Sequence, residues 1–221
     1  MGLNQMLEIL FSGLGQTLYM TLFATFFAYL FGIPLGVVLT ITSKNSICPC
    51  KWLNTILGVI VNIFRSIPFL ILLVFVMPIT KLIVGTRIGT TASIVPLVIA
   101  AIPFIARMIE SSLSEVDRGV IEASEAMGTS KFQIIYKILL PEAKPSLLVG
   151  FAISITTILG YSAMAGFVGG GGLGDIAYQY GYVRSQEELM WLTILFLVVI
   201  VQVFQECGML LARKFDHRIN K

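Results

Sequence analysis

At 221 residues and 24.2 kDa the chain has room for one or two domains, yet 57% of it is apolar and only 12% charged, against about 25% charged in a soluble domain. With a mean hydropathy of +0.91, a soluble fold of this size has too little interior to hide its apolar surface, and disorder, a collagen repeat and a disulfide scaffold are excluded with it. The net charge of +3 gathers in a few loops and makes no nucleic-acid surface, so the composition predicts an all-α integral membrane protein.

A helix needs about 20 mostly apolar residues to cross the hydrocarbon core, and the uncharged runs predict five spans. Span 1 is about Leu14–Thr40, inside the charge-free stretch Ile9–Ser43. Span 2 is interrupted by Arg65. One helix over Leu53–Met77 would hold this guanidinium mid-membrane, which is costly. The cheaper register runs the span over Ser66–Val84, with Lys51–Phe64 as a cytoplasmic or interfacial helix leading in. Span 3 is about Ala92–Ile109, span 4 about Leu147–Val168 and span 5 about Leu189–Leu211. Gly32 and Gly36 in span 1 form G-x-x-x-G, a pattern that lets helices approach closely. Pro34 is expected to bend span 1, and Pro96 and Pro103 to kink span 3.

Lys and Arg placement sets the orientation. The loops joining spans 1–2 and 3–4, with the C-terminal tail, hold 11 of the 15 basic residues, including Arg218 and Lys221; the opposite side holds Lys81, Arg87 and Arg184. The basic side is cytoplasmic, so five spans put the N-terminus outside and the C-terminus inside. Met1–Leu10 lacks a basic n-region and a small-residue cleavage site and does not read as a removable signal peptide. Cys48, Cys50 and Cys207 read as free thiols and His217 as a solvated tail residue; no metal set is expected.

The 38 residues Arg107–Lys144 carry a dense share of the charge and are too long and too patterned for a plain connection. Leu113 and Val116 recur on one helical face, Ile121, Ala126 and Met127 roughly on another, and Ile134, Ile135, Ile138 and Leu139 form a third apolar stripe. Gly128 followed by Thr129 and Ser130 predicts a helix stop and a new N-cap. Glu122 and Glu125 are expected near a helix start, where the dipole favours them. A peripheral helix lying on head groups would favour a basic face, but this segment is acidic until Lys131.

The stretch Glu122-Ala123-Ser124-Glu125-Ala126-Met127-Gly128, nine further residues, then Ile138-Leu139-Leu140-Pro141, resembles the E-A-A-x-x-x-G-x9-I-x-L-P loop of ABC importer permeases, departing only in Ser124 for the second Ala. The resemblance implies a single permease domain over residues 1–221. Its loop, about residues 110–142, would carry a coupling helix between spans 3 and 4 that docks on an ATP-hydrolysing subunit. Glu122, Ala123, Glu125, Ala126, Met127, Gly128 and Pro141 are then the coupling residues. Asn62–Phe69, Pro103–Arg107, Gly160–Met164, Gly171–Gly174 and Tyr178–Tyr182 resemble the methionine-importer branch of that family, which implies uptake of D- and L-methionine.

A pathway needs polar or adaptable groups on one seam. Ser154, Thr157, Tyr161 and Met164 fall within an arc of about 80° on a helix, with Met164 as a movable plug; hydrogen bonding between neighbouring helices explains any one of them equally well. Gly169–Gly174 contains G-x-G-x-x-G without the strand and βαβ unit a dinucleotide site needs, and no P-loop occurs. These glycines are expected to end span 4 near the external face. Beyond them Tyr178, Tyr180, Tyr182 and Arg184 suit either docking of a periplasmic or lipid-anchored binding protein or an interfacial aromatic belt.

No repeat suggests an inverted-repeat transporter, and five spans are few to enclose a route, so a homodimer with the pathway on its two-fold axis is expected. The resemblance implies that it works with two ATPase subunits in the bacterial cytoplasmic (inner) membrane. ATP and Mg would be held by the partner; this chain itself needs no cofactor and is not an enzyme. The alternatives left open are a permease for another amino acid or small solute, an ion-coupled transporter, or a membrane scaffold. No carboxylate sits mid-span to favour ion coupling.

Overall fold

The computed structural model describes residues 2–44 and 46–215; the tail residues His217, Arg218 and Lys221 lie outside them. The described residues are helical, without strands. In chain order the elements are α1 (Leu3–Thr42), α2 (Lys51–Ser66), α3 (Phe69–Val84), α4 (Thr90–Ser114), α5 (Arg118–Ala126), α6 (Lys131–Ile134), a π-helical turn (Ile135–Leu139), α7 (Leu140–Glu142), α8 (Lys144–Gly166), α9 (Gly172–Ile176), a second π-helical turn (Ala177–Val183) and α10 (Glu187–Phe215). Helices α1, α4, α8 and α10 are long and apolar enough to cross a membrane, and the bent pair α2–α3 supplies a fifth crossing if it spans as one.

The predicted break in span 2 is present. Helix α2 ends at Ser66, next to an exposed Arg65, and Pro68 adopts φ −57° and ψ 136° before α3 begins. Proline at that position disfavours helical geometry in the residue ahead of it, so the chain turns at Ile67–Pro68. At 16 residues, α3 is about 24 Å long, short of the roughly 30 Å hydrocarbon core.

Helix α1 has 40 residues, about 60 Å, and takes in most of the thirteen residues ahead of the predicted span. Pro34 in α1, and Pro96 and Pro103 in α4, end neither helix.

The chain divides into two compact units, and the four long helices contribute a segment to each. The first comprises Met1–Ala28, Ile67–Ala101 and Ser154–Gln205. One core cluster in it is Met6, Leu10, Leu173, Ile176 and Leu189. Within it, α1 turns Thr17, Thr21, Thr25, Ala24 and Ala28 inward and leaves Phe11, Phe23 and Phe26 exposed. Hydroxyls and alanines inside with phenylalanines outside invert the soluble pattern, as lipid requires.

The second unit comprises Tyr29–Ser66, Ile102–Ile153 and Glu206–Lys221, with Leu39, Val61 and Ala106 as a core cluster. The G-x-x-x-G expectation holds here. A Cβ on Gly32 would lie 2.7 Å from Ile105 Cγ2, and one on Gly36 2.7 Å from the Ala106 carbonyl oxygen, so α1 and α4 pack backbone-close. Arg107 of α4 clamps α2: Nη2 donates to the Gly58 carbonyl (3.1 Å) and Asn62 Oδ1 (2.9 Å), while Nη1 pairs with Glu110 Oε2 (2.6 Å).

Candidate functional site

The Arg107–Lys144 segment forms two short helices meeting at Gly128. Asp117 caps α5 by accepting from the Gly119 amide at 2.6 Å. At the far end Gly128 has φ +77°, a left-handed conformation cheap only for glycine. Ser130 opens α6 with a capping box: its hydroxyl accepts from the Gln133 amide, and the Gln133 side chain accepts from the Ser130 amide. Ile134 and Leu139 are buried and Ile135 and Ile138 half-buried, as their periodicity predicts.

The helix start was misplaced in the sequence reading. Glu122 and Glu125 sit in the middle and last turn of α5, with no acidic residue in its first turn. A carboxylate in the last turn faces the negative end of the dipole, so Glu125 lowers local stability slightly. The face was misassigned as well: Ala126 and Met127 are exposed, Met127 at 78%, and the buried residue of this helix is Ser124. Ser124 Oγ donates to the Val120 carbonyl at 2.7 Å, so the one departure from the motif points inward with its hydroxyl satisfied.

Glu122, Ala123, Glu125, Ala126, Met127 and Gly128 are all exposed, over the last turns of α5 and its C-terminal end. Phe132 (76%) and Tyr136 (65%), one helical turn apart, extend this surface; sequence reasoning passed over them, though their i, i+4 spacing after the capping box was the signal. The surface is acidic, apolar and built on small residues, which suits close approach of a protein with a basic rim. Pro141 is exposed at the start of α7. The π-helical turn before it closes with Leu140 donating to the Ile135 carbonyl. Pro141 has no amide hydrogen and its ring crowds the carbonyl four residues back, which the wider turn accommodates.

In the first unit, α8 carries the predicted pathway residues with graded exposure. Ser154 is fully buried, Thr157 and Tyr161 half-buried, and Met164 is 43% exposed. The exposed line here runs instead through Gly160 and Met164 of α8 to Phe167 just beyond its end, and a Cβ on Gly160 would meet open space. Tyr161 stacks face to face on Phe69, the first residue of α3, at 4.7 Å and 5°. Phe69 and Tyr161 each fall in a stretch that carries the resemblance, but nothing local in the sequence relates the two rings.

The glycines end α8 as expected. Gly170 donates to the Ala165 carbonyl and Gly169 to that of Gly166, with Gly169 at φ +81°, a Schellman stop. The chain then doubles back. A Cβ on Gly174 would run into the Ala163 backbone, and one on Gly166 into the Asp175 backbone. The first amides of α9 are capped from α1: Gly172 donates to Gln16 Oε1 (2.7 Å) and Leu173 to Thr17 Oγ1 (2.8 Å). Beyond them Tyr178 packs between Phe167 and Tyr182, and the Arg184 guanidinium lies 4.4 Å over the Tyr180 ring. Tyr182 and Arg184 are exposed, Tyr178 and Tyr180 half-buried.

Comparison with known proteins agrees with this architecture. Residues 32–221 match the family described as binding-protein-dependent transport system inner membrane component. A probable D-methionine transport system permease protein MetI of Vibrio cholerae is 52% identical over 96% of this chain and 94% of its own. The methionine import system permease protein MetP of Bacillus subtilis is 46% identical over 95% and 94%. Among solved structures, an inward-facing MetNI methionine ABC transporter chain superposes with a TM-score of 0.96 at 46% identity, covering 98% of this chain and all of that one. An amino acid ABC transporter at 20% identity shares the fold, with a TM-score of 0.78. With apolar crossing helices, an exposed acidic helix at the E-A-A position and a family match over most of its length, the chain belongs to the inner membrane components of binding-protein-dependent transport systems.

Proposed function

We propose that this chain is the membrane-spanning subunit of an ATP-driven importer of methionine, D and L, working as a homodimer with two ATPase subunits in the bacterial cytoplasmic membrane. The observation that carries the reading is α5: the motif residues Glu122, Ala123, Glu125, Ala126, Met127 and Gly128 are exposed together while Ser124 anchors the helix from beneath. The relatives' names supply the substrate.

On this reading the chain crosses five times, with α2–α3 as the broken crossing, and its basic loops are inside; α5 is then cytoplasmic, and the Tyr178–Arg184 segment is outside, where it receives a binding protein. This chain supplies no bond-making chemistry. ATP and Mg are held by the partner, and closure of the ATPase pair moves α5. A two-state permease responds only through a difference in binding between its inward- and outward-facing states. Reversing a 1:99 population needs about 5.5 kcal/mol of such difference, which the ATPase contacts must provide. Solute passes along the face of α8 holding Thr157, Tyr161 and Met164, with Ser154 behind it, and Met164 closes the route.

The test is co-purification from native membranes in mild detergent, comparing wild type with Gly128→Asp. Aspartate tolerates the left-handed conformation better than most residues, so the fold is retained while a carboxylate is added to the docking face. A stoichiometric P-loop ATPase that the substitution removes, with uptake of labelled D- and L-methionine, is the expected result. An intact dimer without an ATPase would overturn the coupling reading, and uptake of another solute in preference to methionine would overturn the substrate.

A further inference from the structure

The second unit contains a cavity of about 410 Å³ where the end of α4, the start of α8 and the end of α10 come together. At about 30 Å³ per water it has room for roughly a dozen waters or for a polar head group. Glu115, Glu142 and Arg213 line it, and none of the three has a salt-bridge partner among the described residues, where the ion pair found is Arg107–Glu110. Lys144, the nearest cation in sequence to Glu142, is engaged elsewhere: its ammonium lies 3.4 Å over the Phe215 ring. The rest of the lining includes the Ser146 hydroxyl and an apolar wall with Val149 and Met209.

We propose that this cavity is a binding site for the head group of a zwitterionic phospholipid ending in a primary ammonium, phosphatidylethanolamine in type. The charges select it. Two carboxylates call for a donor cation, which a primary ammonium satisfies with three N–H groups and a quaternary choline does not. Arg213 calls for an anion, and the start of the 23-residue α8, at Pro145–Ser146, adds the positive end of a helix dipole beside it. An anionic lipid without the ammonium would meet Glu115 and Glu142 with like charge. The apolar wall with Val149 and Met209 suits the glycerol and upper acyl chain and would be left wet by a free zwitterion. The site rests on the proposed crossing of the membrane by α4, α8 and α10, which are long and apolar enough for it; on that reading the helix ends that line the cavity lie near head-group level.

The experiment is native mass spectrometry of the full chain, purified with whatever partners it retains and offered phosphatidylethanolamine, phosphatidylglycerol and phosphatidylcholine of matched acyl chains. Phosphatidylethanolamine should be retained in preference to the other two. Glu115→Gln with Glu142→Gln should cut its retention about tenfold, the loss of a charge-assisted contact, while raising that of phosphatidylglycerol, which no longer meets like charge. Equal retention of the three lipids, or no change in the double variant, would overturn the site. Free phosphoethanolamine bound by the delipidated protein as tightly as the lipid would also overturn the lipid assignment. Arg213→Gln gives a second reading should the double variant fail to fold: it should weaken phosphatidylethanolamine binding, and unchanged binding counts against the site. Lipid is counted whether or not an ATPase co-purifies, so failure of the importer reading and failure of this site are seen separately.

Discussion

The glycine segment of the first unit and the α5–α6 pair of the second use glycine for opposite ends. At Gly174 and Gly166 a side chain has nowhere to go, because the backbones of α8 and α9 touch there. At Gly128 a side chain would meet open space, and only the φ of +77° asks for glycine. The first arrangement is a packed joint that fixes where the chain goes after α8. The second is a free-standing surface, held from beneath by Ser124, Ile134 and Leu139, that presents its residues outward. The same residue type therefore marks rigidity in one region and display in the other.

The sharpest break in that comparison is Gly174→Ala. One methyl driven into the Ala163 backbone should cost about 3 kcal/mol or more, read as lost yield and a lowered thermal midpoint in detergent. Second is Arg107→Met, which removes the clamp on Gly58 and Asn62 and leaves Glu110 unpaired. Arg107 and Glu110 side chains are 26% and 21% exposed, so the loss should be about 2 kcal/mol. A cycle with Asn62→Ala measures the part carried by that one contact. Gly128→Ala should cost only about 1 kcal/mol, the strain of an alanine at positive φ, and leave the yield unchanged. A loss at Gly128 as large as at Gly174 would end the distinction between joint and display.

Much of this was legible in the sequence where the cause is local. Arg65 marked the break between α2 and α3, Gly128 and Ser130 the stop and restart, and Gly32 and Gly36 a close helix contact, though not that α4 makes it. What was not legible depends on residues far apart. The amides of α9 are capped by Gln16 and Thr17, 156 residues away, and no pattern near either end announces it. The Phe69–Tyr161 stack is hidden for the same reason. The misplaced carboxylates have a different origin. Asp117, not the motif's first Glu, caps the helix, so α5 starts earlier than the E-A-A register suggests and Glu125 falls in its last turn. Ser154 shares an arc with Met164 yet is buried, because exposure along a helix depends on what packs beside each turn and not on angle alone.

A smaller effect separates the regions by pH. Burial pushes the Asp175 carboxyl above its ordinary value, partly opposed by a hydrogen bond with Gln179. The folded state then holds this proton more tightly than the unfolded chain does. Its contribution favours folding in acid and is lost as pH rises from about 3.9 through the raised value. Asp175→Asn should remove that slope and slightly raise the thermal midpoint at pH 7, with no such change in the acid range. A midpoint that responds equally at both ends of a pH series would show that the carboxyl is not held in this way.

The smallest effect expected is Ser124→Ala, which restores the alanine of the family motif. The hydroxyl donates to the Val120 carbonyl within its own helix turn, so removing it strands no donor on another element. Alanine is the better helix former by a few tenths of a kcal/mol, and the site is buried with a neighbourhood that already accepts a side chain of nearly that size. Stability should stay within about 0.5 kcal/mol of wild type, and ATPase co-purification should not change, because the substituted atom faces the interior while the docking residues face away from it. A marked fall in co-purification with unchanged stability would show that Ser124 acts on the partner despite its burial, and the division of α5 into an anchoring side and a presenting side would fail.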